Sequence, residues 1–254
     1  MDLVSALIVG AAGLACGVVN SIAGGGTLIL FPVLLLVGLP PLQANVTNSV
    51  ATWPGYVGGV IGFSDEIGQQ RRRLPAMIAA TLVGSTVGCV LLLATPSEAF
   101  DIVVPVLVLV AALLTAVQPL VRRSVTARAA SAAPVSAATV IGLVIATFYG
   151  GYFGAALGVI VLGVLGLTTG ETLRECNASK SVVSLVDASV SVVIFGLFGN
   201  VSWGYVAVAA PTALAGGYVG AGVAKRMNER LLRVGVVTLG VTASIVLFIR
   251  ALNR

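Results

Sequence analysis

The feature that most restricts this chain is a series of apolar runs long enough to cross a lipid bilayer. Runs bounded by charges, proline or glycine occupy 3–20, 26–38, 42–63, 74–94, 102–121, 135–150, 154–168, 176–199, 203–224 and 231–250. Most are 19–24 residues long, and about 20 residues at 1.5 Å each cover the ~30 Å of hydrocarbon in a bilayer. Charged residues make up only 9% of the chain and hydrophobic ones 58%, whereas a soluble domain is about 25% charged. So few charges cannot clothe a water-soluble surface, and intrinsic disorder needs the opposite composition. A transmembrane β-barrel would alternate polar and apolar residues in short strands, which these unbroken runs do not. The expected fold is an all-α polytopic membrane protein, with about eight full transmembrane helices plus broken or re-entrant short segments.

The chain has no histidine, which excludes a His-based triad, an imidazole proton relay and His-ligated zinc. Cys16, Cys89 and Cys176 form no CxxC and sit in runs of small or apolar residues, so they read as packing residues with free thiols. An enzyme is therefore not expected, nor a metal or other cofactor. The net charge of +5 falls mostly in short loops, where the positive-inside rule places it, and carries no nucleic-acid signal. Asp2 stands where a cleaved signal peptide would carry a base, so the first run is expected to be retained as a membrane segment.

Two runs are short: 26–38 and 154–168. Each follows a glycine-rich stretch, Asn20 to Gly26 and Gly150 to Gly154 respectively, and short glycine-interrupted segments in matching halves point to broken helices. A shift of 132 residues tests the match. It pairs Gly26 with Gly158, Gly38 with Gly170, Asn45 with Asn177, Ser49 with Ser181 and Gly84 with Gly216. The chain thus divides into a first membrane repeat (1–121), a basic linker (122–134) and a second membrane repeat (135–254). Arg71, Arg72 and Arg73 mark a cytoplasmic loop, as do Arg122, Arg123 and Arg128, and again Lys225, Arg226, Arg230 and Arg233. The Pro96 to Asp101 and Gly199 to Ser202 loops lack bases and fit the outside. Equivalent loops then lie on opposite faces, which is an inverted-topology repeat.

Four polar features sit in or beside the apolar runs. Successive glycines Gly24, Gly25 and Gly26 let the backbone turn and expose N–H groups at a helix start, where an anion is favoured. The alternative is a tight turn that lets helices pack closely. Asn45, Thr47, Asn48 and Ser49 follow Pro40 and Pro41, with Asn45, Asn48 and Ser49 on one helix face. Amides and hydroxyls there either hydrogen-bond an oxyanion or bridge helices. Their partners Asn177, Ser179, Lys180 and Ser181 follow a Thr168-Thr169-Gly170-Glu171 capping box. A helix starting near 169 would put Lys180 about three turns in, and an intramembrane charge marks function by default. A later start would leave Lys180 at the interface. Asp187, two turns on, either takes a proton, neutralises Lys180 or forms a structural ion pair. The pairs Gly84/Gly88 and Gly216/Gly220 have the spacing of close helix contacts.

These residues together resemble the TauE/SafE sulfite-exporter family. The resemblance rests on Gly24-Gly25-Gly26, Pro32, Ala44 to Asn48 and Trp53-Pro54-Gly55 in the first half. In the second half it rests on Gly150 to Ala155, Asn177 to Ser181, Trp203 and Gly216-Gly217. The family usually has glycine at the position of Ala156 and asparagine at that of Asp187. The resemblance implies a secondary transporter, mostly of exporter type, for a small sulfur-containing anion such as sulfite, sulfoacetate or another organosulfonate. The expected substrate-binding residues are Gly24, Gly25, Gly26, Asn45, Thr47, Asn48, Asn177, Ser179, Lys180 and Ser181, with Asp187 coupling a proton. The two asparagine-bearing helix starts should converge near the midplane. The other partners expected are the lipid bilayer of a bacterial inner membrane and no nucleic acid; a homodimer stays open. A passive anion channel and a non-transporting scaffold subunit are the alternatives.

Overall fold

A computed structural model describes residues 2–22, 25–124, 135–223 and 229–252. Among them every regular element is an α-helix. They are α1 (Leu3–Ile22), α2 (Thr27–Leu36), α3 (Pro41–Gly62), α4 (Ser64–Gln69), α5 (Leu74–Ala94), α6 (Ser97–Ser124), α7 (Ala137–Tyr152), α8 (Leu157–Thr168), α9 (Leu173–Phe198), α10 (Trp203–Val223) and α11 (Glu229–Leu252). The ten apolar runs each became a helix, and α4 was not anticipated. Helices α1, α5, α6, α9 and α11 are long and apolar enough to cross a membrane, while α2, α7 and α8 are apolar but shorter. Gly24, Arg128, Lys225 and Arg226 lie outside the described residues.

The packing puts apolar side chains outside and hydroxyls inside. On α6, Ile102, Val106, Leu113 and Leu120 point outward while Val104, Val108 and Ala111 are buried. Buried Thr81, Thr115 and Thr147 donate to carbonyls of their own helices, at Met77, Ala111 and Leu143. Each hydroxyl is thereby satisfied without water, as a lipid-embedded helix requires.

The 132-residue shift carries α1 onto α7, α2 onto α8, α3 onto α9, α5 onto α10 and α6 onto α11; α4 has no counterpart. Packing follows the shift. Helix α1 lies on α10 as α7 lies on α5, α3 packs on α10 as α9 does on α5, and α3 pairs with α9 and α6 with α11. Glycine makes the first two contacts close. A Cβ on Gly17 would stand 2.0 Å from the Ala213 carbonyl oxygen, and one on Gly88 2.2 Å from that of Phe148. Gly84 and Gly216 are equally tight, so the GxxxG spacing is a packing device.

Helix α8 folds back along α7. Thr139 donates to Thr168 at 2.9 Å, and a Cβ on Gly142 would meet Val164 Cγ1 at 2.7 Å. The turn of this hairpin, 153–156, therefore lies about 20 Å from its open end. Gly154 (φ 75°) and Ala156 (φ 61°) bend the chain there through the left-handed region.

The start of α9 corrects one expectation. Thr168 and Thr169 donate their hydroxyls back to Val164 and Leu165 and finish α8. Gly170 (φ 67°) then turns the chain. The capping box is Thr172 with Glu175 instead: Glu175 N donates to Thr172 Oγ1 at 3.3 Å, and Thr172 N to Glu175 Oε2 at 2.8 Å. The helix begins at Leu173 rather than near 169, because the same Thr-x-x-Glu spacing recurs once the left-handed glycine is passed.

Candidate functional site

Helices α3 and α9 cross the centre antiparallel. Ser202 N, just past α9, donates to Thr47 Oγ1 at 3.0 Å, and Trp53 Nε1 donates to Ser189 Oγ at 2.9 Å. At the other end Gln70, past α3, donates to the Glu175 carbonyl at 3.0 Å and accepts from Ser179 Oγ. Along α9, Asn177, Ser181, Ser184, Asp187 and Ser191 recur at helical spacing on one face. Asn48, Ser49, Thr52 and Tyr56 of α3 face part of that row across a cavity of ≈ 20 Å³. Thr27 of α2, the hairpin residues Gly150, Phe153 and Gly154, and Asp187, Ala188 and Ser191 complete its wall.

Asp187 is the charge in this wall, with its residue 5% exposed. Ser85 of α5 donates to its Oδ1 at 2.5 Å. The carboxylate lies on the bare Cα of Gly150, an approach that any side chain there would prevent. Two acceptors in the same wall are unmatched: Asn48 Oδ1 and Thr27 Oγ1 are buried without a hydrogen-bond partner. Asn45 hooks the hairpin turn to α3, its Nδ2 donating to the Tyr152 carbonyl at 3.0 Å. Phe31 of α2 meets Phe153 edge-on at 5.5 Å, so both broken regions pack together beside the cavity.

Lys180 occupies a second, adjacent locus. It lies seven residues into α9, about two turns rather than three. Its Nζ donates to Asn177 Oδ1 at 2.9 Å. Its aliphatic stem runs beside Gly158, in the first turn of α8, and Arg122 adds a second positive charge to its surroundings. A lysine ammonium, a guanidinium and the positive end of α8 thus act in one place.

The expected residues are therefore distributed. Asn48 and Asp187 share the cavity. Lys180 and Asn177 share the locus at α8. Asn45 and Asn177 sit near opposite ends of the antiparallel pair instead of converging, because each begins its helix from its own side. Lys180 and Asp187 share a helix face but form no ion pair among the described residues. Thr47 and Ser179 join helix ends to neighbouring segments, and Ser181 donates to its own helix at Asn177. Gly26 N–H is taken by Asn20 Oδ1 at 2.8 Å, and a Cβ on Gly26 would strike the Cys16 carbonyl oxygen, so here the glycine serves packing. Gly25 (φ 103°) makes the turn. Cys16, Cys89 and Cys176 are free and buried.

Beyond α3, ion pairs tie the loop to the start of α9. Arg73 meets Glu171 at 2.5 Å, and Glu66 of α4 pairs with Arg174.

The sequence matches the family described as "Sulfite exporter TauE/SafE" over residues 9–247. The chain belongs to the TauE/SafE family. That membership places it among membrane transporters rather than enzymes. The chain is 28% identical over 224 residues to "Probable membrane transporter protein YfcA" of Escherichia coli K12, covering 85% of this chain and 76% of the relative. It is 26% identical over 230 residues to a "Probable membrane transporter protein" of Haemophilus influenzae, covering 89% and 87%. A shorter match, 27% over 103 residues, links it to "Probable membrane transporter protein ORF9" of a Sinorhizobium species.

In this TauE/SafE protein the sequence reading missed Thr27, Thr52, Tyr56, Ser85, Gly150 and Ser191 as cavity or Asp187 neighbours. Ser184 and Ser191 carried a usable signal, one helical turn before and after Asp187. Ser85 and Gly150 reach Asp187 through tertiary packing, and no spacing in the sequence points to that.

Proposed function

We propose that the protein is a secondary transporter that exports a small sulfur oxyanion or organosulfonate by alternating access. The carrying observation is the placement of Lys180 against the first turn of α8, with Arg122 nearby and Asn177 holding the ammonium. A positive helix end with two cations suits a compact anion, and broken helices at the membrane interior are where secondary transporters bind ions. The central cavity supports movement rather than an open pore. Its ≈ 20 Å³ has room for about one water and none for an anion of several heavy atoms. Entry and exit then require one half to rock against the other.

In this reading residues 1–121 and 135–254 are the inverted halves, with eight full spans and α2 and α8 as short elements. The Arg71 to Arg73 loop faces the cytoplasm, and the membrane is the bacterial inner membrane. Asp187 is the coupling group, since it is the buried charge between the two broken regions.

The test is flux of radiolabelled sulfite in proteoliposomes under an imposed ion gradient, for wild type and Lys180→Ala. Uphill flux that disappears in the variant supports the reading. Flux that never exceeds equilibrium identifies a channel. Uphill flux that survives Lys180→Ala removes the anion from this locus. If neither sulfite nor sulfoacetate moves, the proposed substrate class is rejected.

A further inference from the structure

The same hairpin turn presents two helix ends. The start of α8 faces Lys180, whereas the end of α7 faces Asp187 and the cavity. The last carbonyls of a helix lack intrahelical donors and carry partial negative charge; at the end of α7, Tyr149 O accepts from Phe153 and Gly154 N–H and Tyr152 O from Asn45, which leaves the Gly150 and Gly151 carbonyls at this end. Gly150 lines the cavity in that final turn. Around the same small space stand the Asp187 carboxylate and the unmatched Asn48 Oδ1 and Thr27 Oγ1. Thr52 donates its hydroxyl proton to the Asn48 carbonyl at 3.0 Å, which leaves its lone pairs available to the cavity. At the start of α2, Asn20 Oδ1 accepts from Gly26 N–H and so sets an amide oxygen against that positive end.

We infer that this cavity binds one dehydrated sodium ion, held by Asp187, Asn48 Oδ1, Thr27 Oγ1 and the C-terminal end of α7. The chemistry is that of a hard cation among oxygen donors. One carboxylate matches a single positive charge, so the loaded site is neutral; a divalent ion would keep an unpaired charge in a dry interior. The volume of ≈ 20 Å³ has room for one bare ion without its hydration shell, and so few oxygen donors suit the smaller sodium ion better than potassium. A proton on Asp187 would supply one donor to a wall that offers several lone pairs, and a cation satisfies them together. Unwound carbonyls and half-helix C-terminal ends serve this purpose in transporters with discontinuous helices.

The inference deepens the coupling part of the proposed function and rests on that reading for its purpose, but its test uses no sulfur anion. A failure to move sulfite and a failure to bind sodium are therefore separate results. Purified protein in nanodiscs is titrated with sodium, lithium, potassium or choline chloride at constant ionic strength. The readouts are melting temperature and the fluorescence of Trp53, which is bonded to Ser189 on α9 next to this wall.

Sodium should stabilise the protein saturably where potassium and choline do not. Asp187→Asn should abolish the response, and Lys180→Ala, at the other locus, should retain it. Thr27→Val guards against a folding artefact: it exchanges a hydroxyl without a partner for a methyl of the same shape and should weaken sodium binding about tenfold or more. Equal responses to all chlorides, equal responses to sodium and potassium, or a sodium response untouched by both Asp187→Asn and Thr27→Val would each overturn the inference.

Discussion

The carboxylate of Asp187 rests directly on Gly150: a Cβ built on that glycine would stand 2.6 Å from Asp187 Oδ1 and 2.9 Å from Oδ2. The contact joins the last turn of α7 to the middle of α9, and glycine is the residue that permits it. Gly150→Ala should therefore displace the carboxylate from its seat against the last turn of α7. Displacements near 1 Å at a working site cost about 10²-fold in rate, so gradient-driven flux should fall by about that factor. The folded yield should change little, since the carboxylate can swing toward the cavity. Size-exclusion profiles and flux on one preparation check both halves of the prediction. Equal losses of folded protein and flux would make Gly150 a packing residue alone.

The Arg73–Glu171 pair has a different logic. Glu171 is 3% exposed, and its Oε2 has no hydrogen-bond partner. Removing Arg73 would strand a buried carboxylate, which costs about 3–5 kcal/mol. Arg73→Ala should lower the melting temperature sharply, and adding Glu171→Gln should recover much of the loss. Thermal unfolding of the two single variants and the double variant measures the coupling. Additive effects would show that the two side chains act independently despite their 2.5 Å contact.

Much of this fold was legible because lipid imposes a one-dimensional code. Each run of apolar residues had to become a helix, and the helix bounds differ from the runs by a few residues at most of their ends. Gly38 and Gly170, which the 132-residue shift pairs, hold left-handed turns at φ 94° and 67° that other residues rarely adopt. The site was only half legible. Asp187 and Lys180 stood out as charges in apolar sequence, but sequence spacing put them on one face without saying which neighbours would claim each. Ser85 comes to Asp187 from 102 residues away, and Asn45 reaches Tyr152 across 107. Asn45 and Asn177 do not converge, because a local sequence pattern carries no information on the distance between its two occurrences. Helix α4 was invisible because Ser64 to Gln69 is too short and polar to show a period.

The α1–α10 and α5–α7 contacts should tolerate no side chain. Gly17→Val and Gly88→Val place new atoms where backbone carbonyls already stand. Overpacking costs about 1–3 kcal/mol where neighbours can give way, and these neighbours are helix backbone, so the upper end is expected. Gly235→Ala is the matched control, being exposed on α11 with nothing within 4 Å. Melting temperatures in one detergent should drop for the two valine variants and stay level for the alanine. A drop for Gly235→Ala of similar size would mean that helix flexibility, not close contact, explains the glycines.

Ala156 is the one non-glycine residue at positive φ among the described residues, at 61°, and it caps the start of α8 beside Gly158 and Lys180. A left-handed conformation costs an L-residue about 1–2 kcal/mol. Glycine escapes that cost but loses about 0.5–1 kcal/mol through its freer unfolded chain. Ala156→Gly should therefore stabilise the protein by about 1 kcal/mol or less. A larger effect is expected on transport, because the strain at alanine favours leaving the left-handed geometry and glycine removes that bias. If the hairpin turn moves during the cycle, Ala156→Gly should change the flux rate while leaving sulfite affinity nearly constant. Ala156→Val, which is stiffer and worse in the left-handed region, should lower both stability and rate. Flux measured across a range of sulfite concentrations separates rate from affinity. A shift in affinity with no change in rate would assign Ala156 to shaping the anion locus rather than to motion of the turn.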